Sequence, residues 1–214
     1  MSIDLMPGFG AFTPAASGGG SPPTFPAPSA VAYSATTANL AITSAGLLTT
    51  GQADPVSGTD AVSVTFNSAS TISRGSYSIS GLPSTGAAFS YTNTTTYTAS
   101  VFAKQIGPNG RWLRFGIYDA TTGDVGVMFD LQTGAVGSSR SGGITEISPG
   151  ITAYDSGWYQ CYFSTDNLSG VIDNIQLGPA ATDSSDFDAN TTADTNDGVY
   201  IFRLQIVTGS NPNG

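Results

Sequence analysis

Three of the chain's six cationic side chains, Lys104, Arg111 and Arg114, fall in one segment, KQIGPNGRWLRFGIYD, beside Trp112 and Tyr118. Read as extended chain, the segment places Trp112, Arg114, Gly116 and Tyr118 on one side. That set suits sugar recognition. Aromatic faces stack on sugar C–H surfaces, and a guanidinium fork bonds hydroxyls or carboxylates. Gly116 would let a ligand approach the backbone. The same residue types are also enriched in subunit interfaces, so a glycan face and an interface or packing face both stay open for Trp112, Arg114 and Tyr118. Lys104 and Arg111 are expected at the ends of neighbouring strands, in reach of an acidic partner or a second copy, with Arg114 in mid-face.

A second candidate is the acidic segment DSSDFDANTTADTND. Asp186, Asp188, Asn190, Asp194 and Asp197 occupy relative positions 1, 3, 5, 9 and 12, the spacing with which calcium loops bring oxygens onto one cation. Thr191 stands where such loops need glycine, Asp197 is shorter than the usual Glu, and no helices flank the segment. A solvated acidic loop is the competing reading, and no other cofactor is suggested.

The totals exclude several chemistries. There is no histidine, which removes Ser-His-Asp and Cys-His catalysis and ordinary zinc sites. Cys161 is the sole cysteine, so no intrachain disulfide forms, which fits assembly in a reducing cytoplasm. A net charge of −9 argues against nucleic acid, which needs a basic stripe. With 15 acidic residues in the chain, some pair of carboxylates is always close, so a paired-carboxylate glycosidase has no specific signal. No apolar run reaches the ~20 residues of a membrane helix, and no signal peptide is apparent.

The elements that must position these residues are strands. Charged residues make up 10 %, against about 25 % in ordinary soluble domains, so Ser, Thr, Asn and Gly must supply the polar surface. No window keeps a 3.6-residue period. Short β-forming runs alternate with turn signals such as GPNG at 107–110 and QTG at 132–134. Alternation puts Leu113, Phe115 and Ile117 on one face of their strand. It likewise groups Val125, Val127, Phe129 and Leu131, then Tyr159, Cys161 and Phe163, and then Tyr200, Phe202, Leu204 and Ile206. One apolar and one mixed face per strand implies two stacked sheets. Cys161 is expected to be an inert core thiol.

Residues 1–30 differ. They are rich in Pro and Gly, which resist folding alone, yet carry Leu5, Met6, Phe9, Phe12 and Phe25. A plain linker lacks such apolar groups, so the segment reads as an arm that orders against a partner, with a floppy tail as the alternative.

The run YTASVFAK…GRWLRFGIYD…VGVMFDLQTGAVG…GWYQCYFST…GVYIFRLQIVTG resembles the jelly-roll domain of tailed-phage virion proteins, often called carbohydrate-binding-module-like. The resemblance covers roughly residues 95–208. Gln160 stands where the family more often has Arg, and Arg203, Gln205 and Val207 depart from its usual ending. It implies an all-β jelly-roll sandwich over 31–208, after an arm at 1–30 and before a tail at 209–214. It also implies a non-enzymatic virion structural protein, a capsid decoration (cement) or head-fibre subunit, frequently trimeric. Such a protein would be assembled in the bacterial host and docked on other virion proteins through the arm. The alternative is a glycan-binding module of a tail fibre or surface adhesin.

Overall fold

The computed structural model describes residues 33–35, 41–44, 47–66, 74–78, 95–119, 123–166, 174–184 and 196–212. The arm residues Leu5, Met6, Phe9, Phe12 and Phe25 lie outside these, as do Asp186, Asp188, Asn190 and Asp194. Thirteen strands are described: β1 Tyr33–Ala35, β2 Ala41–Ser44, β3 Leu47–Gln52, β4 Ala61–Thr65, β5 Arg74–Ser78, β6 Tyr97–Ile106 and β7 Trp112–Asp119. Then follow β8 Gly123–Asp130, β9 Ala135–Ser141, β10 Glu146–Ala153, β11 Tyr159–Thr165, β12 Asn174–Ala180 and β13 Gly198–Thr208. A single 3-10 turn, Asp155–Gly157, is the only helical element among the described residues.

The strands form two antiparallel sheets, stacked as the expected jelly-roll sandwich. One is seven-stranded, in the order β10-β11-β6-β13-β4-β3, with β1 also paired to β13. The other is six-stranded, in the order β2-β5-β12-β7-β8-β9. The core between them is built from alternate residues. Leu113, Phe115 and Ile117 of β7 and Val125, Val127 and Phe129 of β8 face Val101, Cys161, Phe163 and Ile201 of the opposite sheet. Phe115 meets Phe163 edge-on, with centroids 5.0 Å apart, a favoured aromatic geometry. Burial pushes the Cys161 thiol well above its ordinary range, which suppresses the reactive thiolate.

Strand β13 departs from the alternation expected for it. Its register against β6 slips between Phe202 and Gln205, and Arg203 sits at φ 49°. This bulge adds one residue and reverses the parity of all that follow. Val199 and Ile201 face the core before it, and Leu204 and Ile206 after it. Tyr200 and Phe202 are therefore turned to the outside, not to the core with Leu204 and Ile206.

A second correction concerns the GPNG turn. It does not join neighbouring strands: β6 belongs to the seven-stranded sheet and β7 to the six-stranded one. The turn carries the chain across the end of the sandwich, where space is tight. A Cβ on Gly110 would stand 1.9 Å from the Gly198 carbonyl oxygen. The Asp197 carboxylate fixes the turn, accepting from the Asn109 backbone N–H at 2.8 Å and its side-chain amide at 2.7 Å.

Candidate functional site

The bulge creates the most distinctive surface of the molecule. On the outer face of the seven-stranded sheet, Phe102, Trp158, Phe202 and Ala61 form a small buried cluster, with Tyr154 and Tyr200 packed on it. The rings interlock. Phe102 meets Tyr154 at 5.3 Å and Phe202 at 6.2 Å. Trp158 lies 6.3 Å from Tyr200 at 38° and 6.4 Å from Phe202 at 71°. The Tyr154 hydroxyl donates to Gln160 Oε1 at 3.2 Å. Phe102, Trp158 and Phe202 are each 5 % exposed or less, covered in part by Tyr154, Tyr200 and the Arg203 guanidinium.

Above this floor opens a cleft of about 450 Å³, lined by Gln52, Asp54, Lys104, Asp155, Trp158 and Tyr200 together with Ala53, Pro55, Ser57 and Ser156. That volume lies within the range of small-molecule sites. Lys104 reaches it from β6, directly opposite Tyr200 in the β6–β13 register. Trp158 enters after the 3-10 turn, where Ser156 (φ 60°) and Gly157 (φ 78°) take left-handed backbone in succession. The turn is closed by Tyr154 N–H donating to the Trp158 carbonyl at 2.8 Å.

The opposite wall is the β3–β4 loop. Asp54 organises it from within: Oδ1 accepts from the N–H groups of Val56 at 2.9 Å and Gly58 at 2.7 Å, and Oδ2 from that of Asp60 at 3.1 Å. Burial works against the Asp54 charge. The N–H groups of Gly58, Asp60 and Val56 outweigh it, helped by the charge of Arg203, and hold the carboxyl below its ordinary range. Ser57, inside this loop, takes φ 70°. Of the three non-glycine residues with positive φ among those described, Ser57 and Ser156 line the cleft and Arg203 makes the bulge beneath it. Strained backbone gathers at functional sites. The Arg203 guanidinium stacks 4.9 Å from the Phe202 ring centroid.

Of the residues singled out from sequence, Lys104 lines the cleft and the other described ones lie elsewhere. Trp112, Arg114 and Tyr118 share the outer side of the six-stranded sheet, as alternation requires, but they present no continuous surface. Trp112 packs on Met128 and Ala180, with the Arg111 guanidinium 5.2 Å from its ring centroid. Arg114 is 1 % exposed, and Tyr118, at the far end of the strand, is 40 % exposed. Arg111, 39 % exposed, is engaged within its own chain. Its Nε donates to Asp130 Oδ1 at 2.9 Å and its Nη2 to Oδ2 in a bidentate fork. Asp130 also accepts from Gln132 N–H at 2.9 Å, Thr133 N–H at 3.2 Å and Thr133 Oγ1 at 2.6 Å, locking the FDLQTG hairpin. Burial opposes its charge, but these partners, Arg111 foremost, hold its pKa at about 2. Of the spaced oxygens suited to calcium, Asp197 is described: it is 4 % exposed and engaged with Asn109. Among the described residues no group of three or more His, Cys, Asp or Glu is placed to hold a metal.

The cleft could not be read from sequence spacing, because its walls come from residues 52–57, 104, 155–158 and 200. One signal was available. Trp158, Tyr200 and Phe202 are three large rings, although Trp112 and Tyr118 gave the same signal on the other sheet.

No protein-family model matches the chain, and no curated protein matches it by sequence. Solved structures do match. The CBM22-2 xylan-binding domain of Paenibacillus barcinonensis Xyn10C is similar over 83 % of this chain and 99 % of its own, with TM-score 0.50 and 12 % identity. The CBM22-1–GH10 modules of Clostridium thermocellum Xyn10B, complexed with xylohexaose, match over 82 % of this chain and 27 % of theirs, with TM-score 0.44 and 13 % identity. An exo-beta-agarase matches over 81 % of this chain and 23 % of its own, with TM-score 0.45 and 11 % identity. The first of these likenesses establishes the fold alone: this chain has a carbohydrate-binding-module-like jelly roll.

Proposed function

We propose that the chain is a non-catalytic glycan-binding module whose ligand lies in the cleft over Trp158 and Tyr200. One observation carries this reading: a cleft of sugar size lined by the partly exposed Tyr200 over the buried Trp158, with a lysine, two aspartates, a glutamine and two serines around it. Stacking supplies affinity and the polar groups fix orientation. A hydrolytic role is unsupported. Asp54 is already engaged by three backbone N–H groups and held ionised, so it cannot serve as a general acid. The fold shared with a xylan-binding domain makes xylan oligomers natural first probes. In calorimetric titration against a glycan panel, Tyr200→Ala is expected to weaken the best ligand at least about tenfold while the fold is kept. Unchanged affinity would refute the cleft as the site.

A second reading rests on residues 1–30, whose Phe9, Phe12 and Phe25 sit among prolines and glycines. In it the chain is a virion subunit, cement or head fibre, docked through this arm, with the sandwich projecting. Each fully covered phenylalanine would contribute up to ~1.5–3 kcal/mol. Deleting residues 1–28 should leave a folded sandwich that no longer joins particles; normal incorporation counts against this reading.

A further inference from the structure

Resting on the cleft as a glycan site, we infer that it selects uncharged over acidic sugar chains. Asp155, backed by Asp54, turns away carboxylate-bearing residues. Three charges line the cleft: Lys104, Asp54 and Asp155. They differ in commitment. Asp54 spends its oxygens on the β3–β4 loop. The ion pairs among the described residues are Arg111–Asp130 and Arg140–Asp124, and Arg114 and Arg203 have partners of their own. Lys104 and Asp155 have neither an ion pair nor a side-chain hydrogen bond among the described residues. They are the cation and the anion of the cleft whose bonding capacity is left for a ligand.

Their chemistries are complementary. An ammonium only donates and a carboxylate only accepts. A sugar hydroxyl does both, so neighbouring hydroxyls of one chain can accept from Lys104 and donate to Asp155. A uronic acid in the same space meets two fixed carboxylates with one ammonium to offset them. Beside the low-dielectric wall of Trp158 and Tyr200 such like-charge contacts are screened less than in open water. The net charge of −9 adds a long-range bias against polyanions, but salt removes that part and leaves the local one.

The test is calorimetric titration of the full chain at about 0.5 M salt, where the Debye length is only a few ångströms. The probes are uncharged hexamers (xylo-, cello- and mannohexaose) and a galacturonic acid hexamer. The expected result is binding of an uncharged hexamer, with the acidic hexamer at least about tenfold weaker, a gap of about 1.4 kcal/mol or more. Asp155→Asn should narrow that gap, and Lys104→Met should widen it. A purely structural role for either residue would not shift selectivity in these opposite senses. An acidic hexamer that binds the unaltered chain as tightly as an uncharged one overturns the inference. So do ratios unchanged in both variants while an uncharged hexamer still binds, and in either case the glycan reading stands. If none of the hexamers binds, the reading and the inference fall together.

Discussion

The two outer faces of the sandwich invite comparison. Both carry aromatic and cationic residues on strands that alternate with the core, yet they use them in opposite ways. On the six-stranded sheet the cations are already engaged: Arg114 is buried, and Arg111 is spent on Asp130 while stacking on Trp112. On the seven-stranded sheet the rings build a floor, and Lys104 stands over it without an ion pair among the described residues. The difference comes from backbone. An unbroken ladder on β7 and β8 lets side chains satisfy one another across strands. A bulge in β13 turns Tyr200 and Phe202 outward, and two loops rise around them. Residue type at an outward position therefore does not tell a binding face from a packing face; what tells them apart is whether the charges there are already spent.

Three substitutions break or sharpen that contrast. The largest effect is expected from Phe102→Ala, which removes a ring touching both Tyr154 and Phe202. It should cost about 3–5 kcal/mol in denaturant unfolding and abolish glycan binding, because the floor collapses. Next is Asp130→Ala on the other sheet, at about 2–3 kcal/mol, with glycan affinity unchanged. Its pH dependence carries a sign. The folded pKa of about 2 lies below the ordinary 3.8, so the carboxylate's stabilising contribution is complete above roughly pH 4 and lost as pH falls toward 2. Stability should therefore fall less steeply between pH 4 and 2 in the variant than in the unaltered chain. If the slopes match, the Arg111 fork is not the acid-sensitive element. The smallest effect is expected from Tyr118→Ala, within about 0.5 kcal/mol and without change in binding. A loss of glycan signal there would return the site to the six-stranded sheet.

Much of the fold was legible in the sequence, because a period of two is a strong signal where strands run without interruption. Leu113, Phe115 and Ile117, and Val125, Val127 and Phe129, all fall in the core as their alternation demands. Cys161 is the buried thiol that its neighbours implied. The reading broke at β13, where one extra residue puts Tyr200 and Phe202 out of phase with Leu204 and Ile206, which do fall in the core, and no local composition marks the slip: Arg203 is neither glycine nor asparagine. That error concealed the cleft as well, since it placed Tyr200 and Phe202 in the core. The loops that wall the cleft were invisible for another reason. Their shapes depend on how Asp54 and the Ser156–Gly157 pair fold back on themselves, and neither stands out from the many Asp, Ser and Gly around it.

The loop around Asp54 has a wider consequence. Its curvature is written into its own carboxylate and the N–H groups of Val56, Gly58 and Asp60, with little borrowed from the strands on either side. A segment braced in this way behaves as a cartridge. A side chain such as that of Ala53, exposed and lining the cleft, is free to drift in sequence while the outline stays put, so a lineage could retune what the molecule recognises without reopening the question of how it folds.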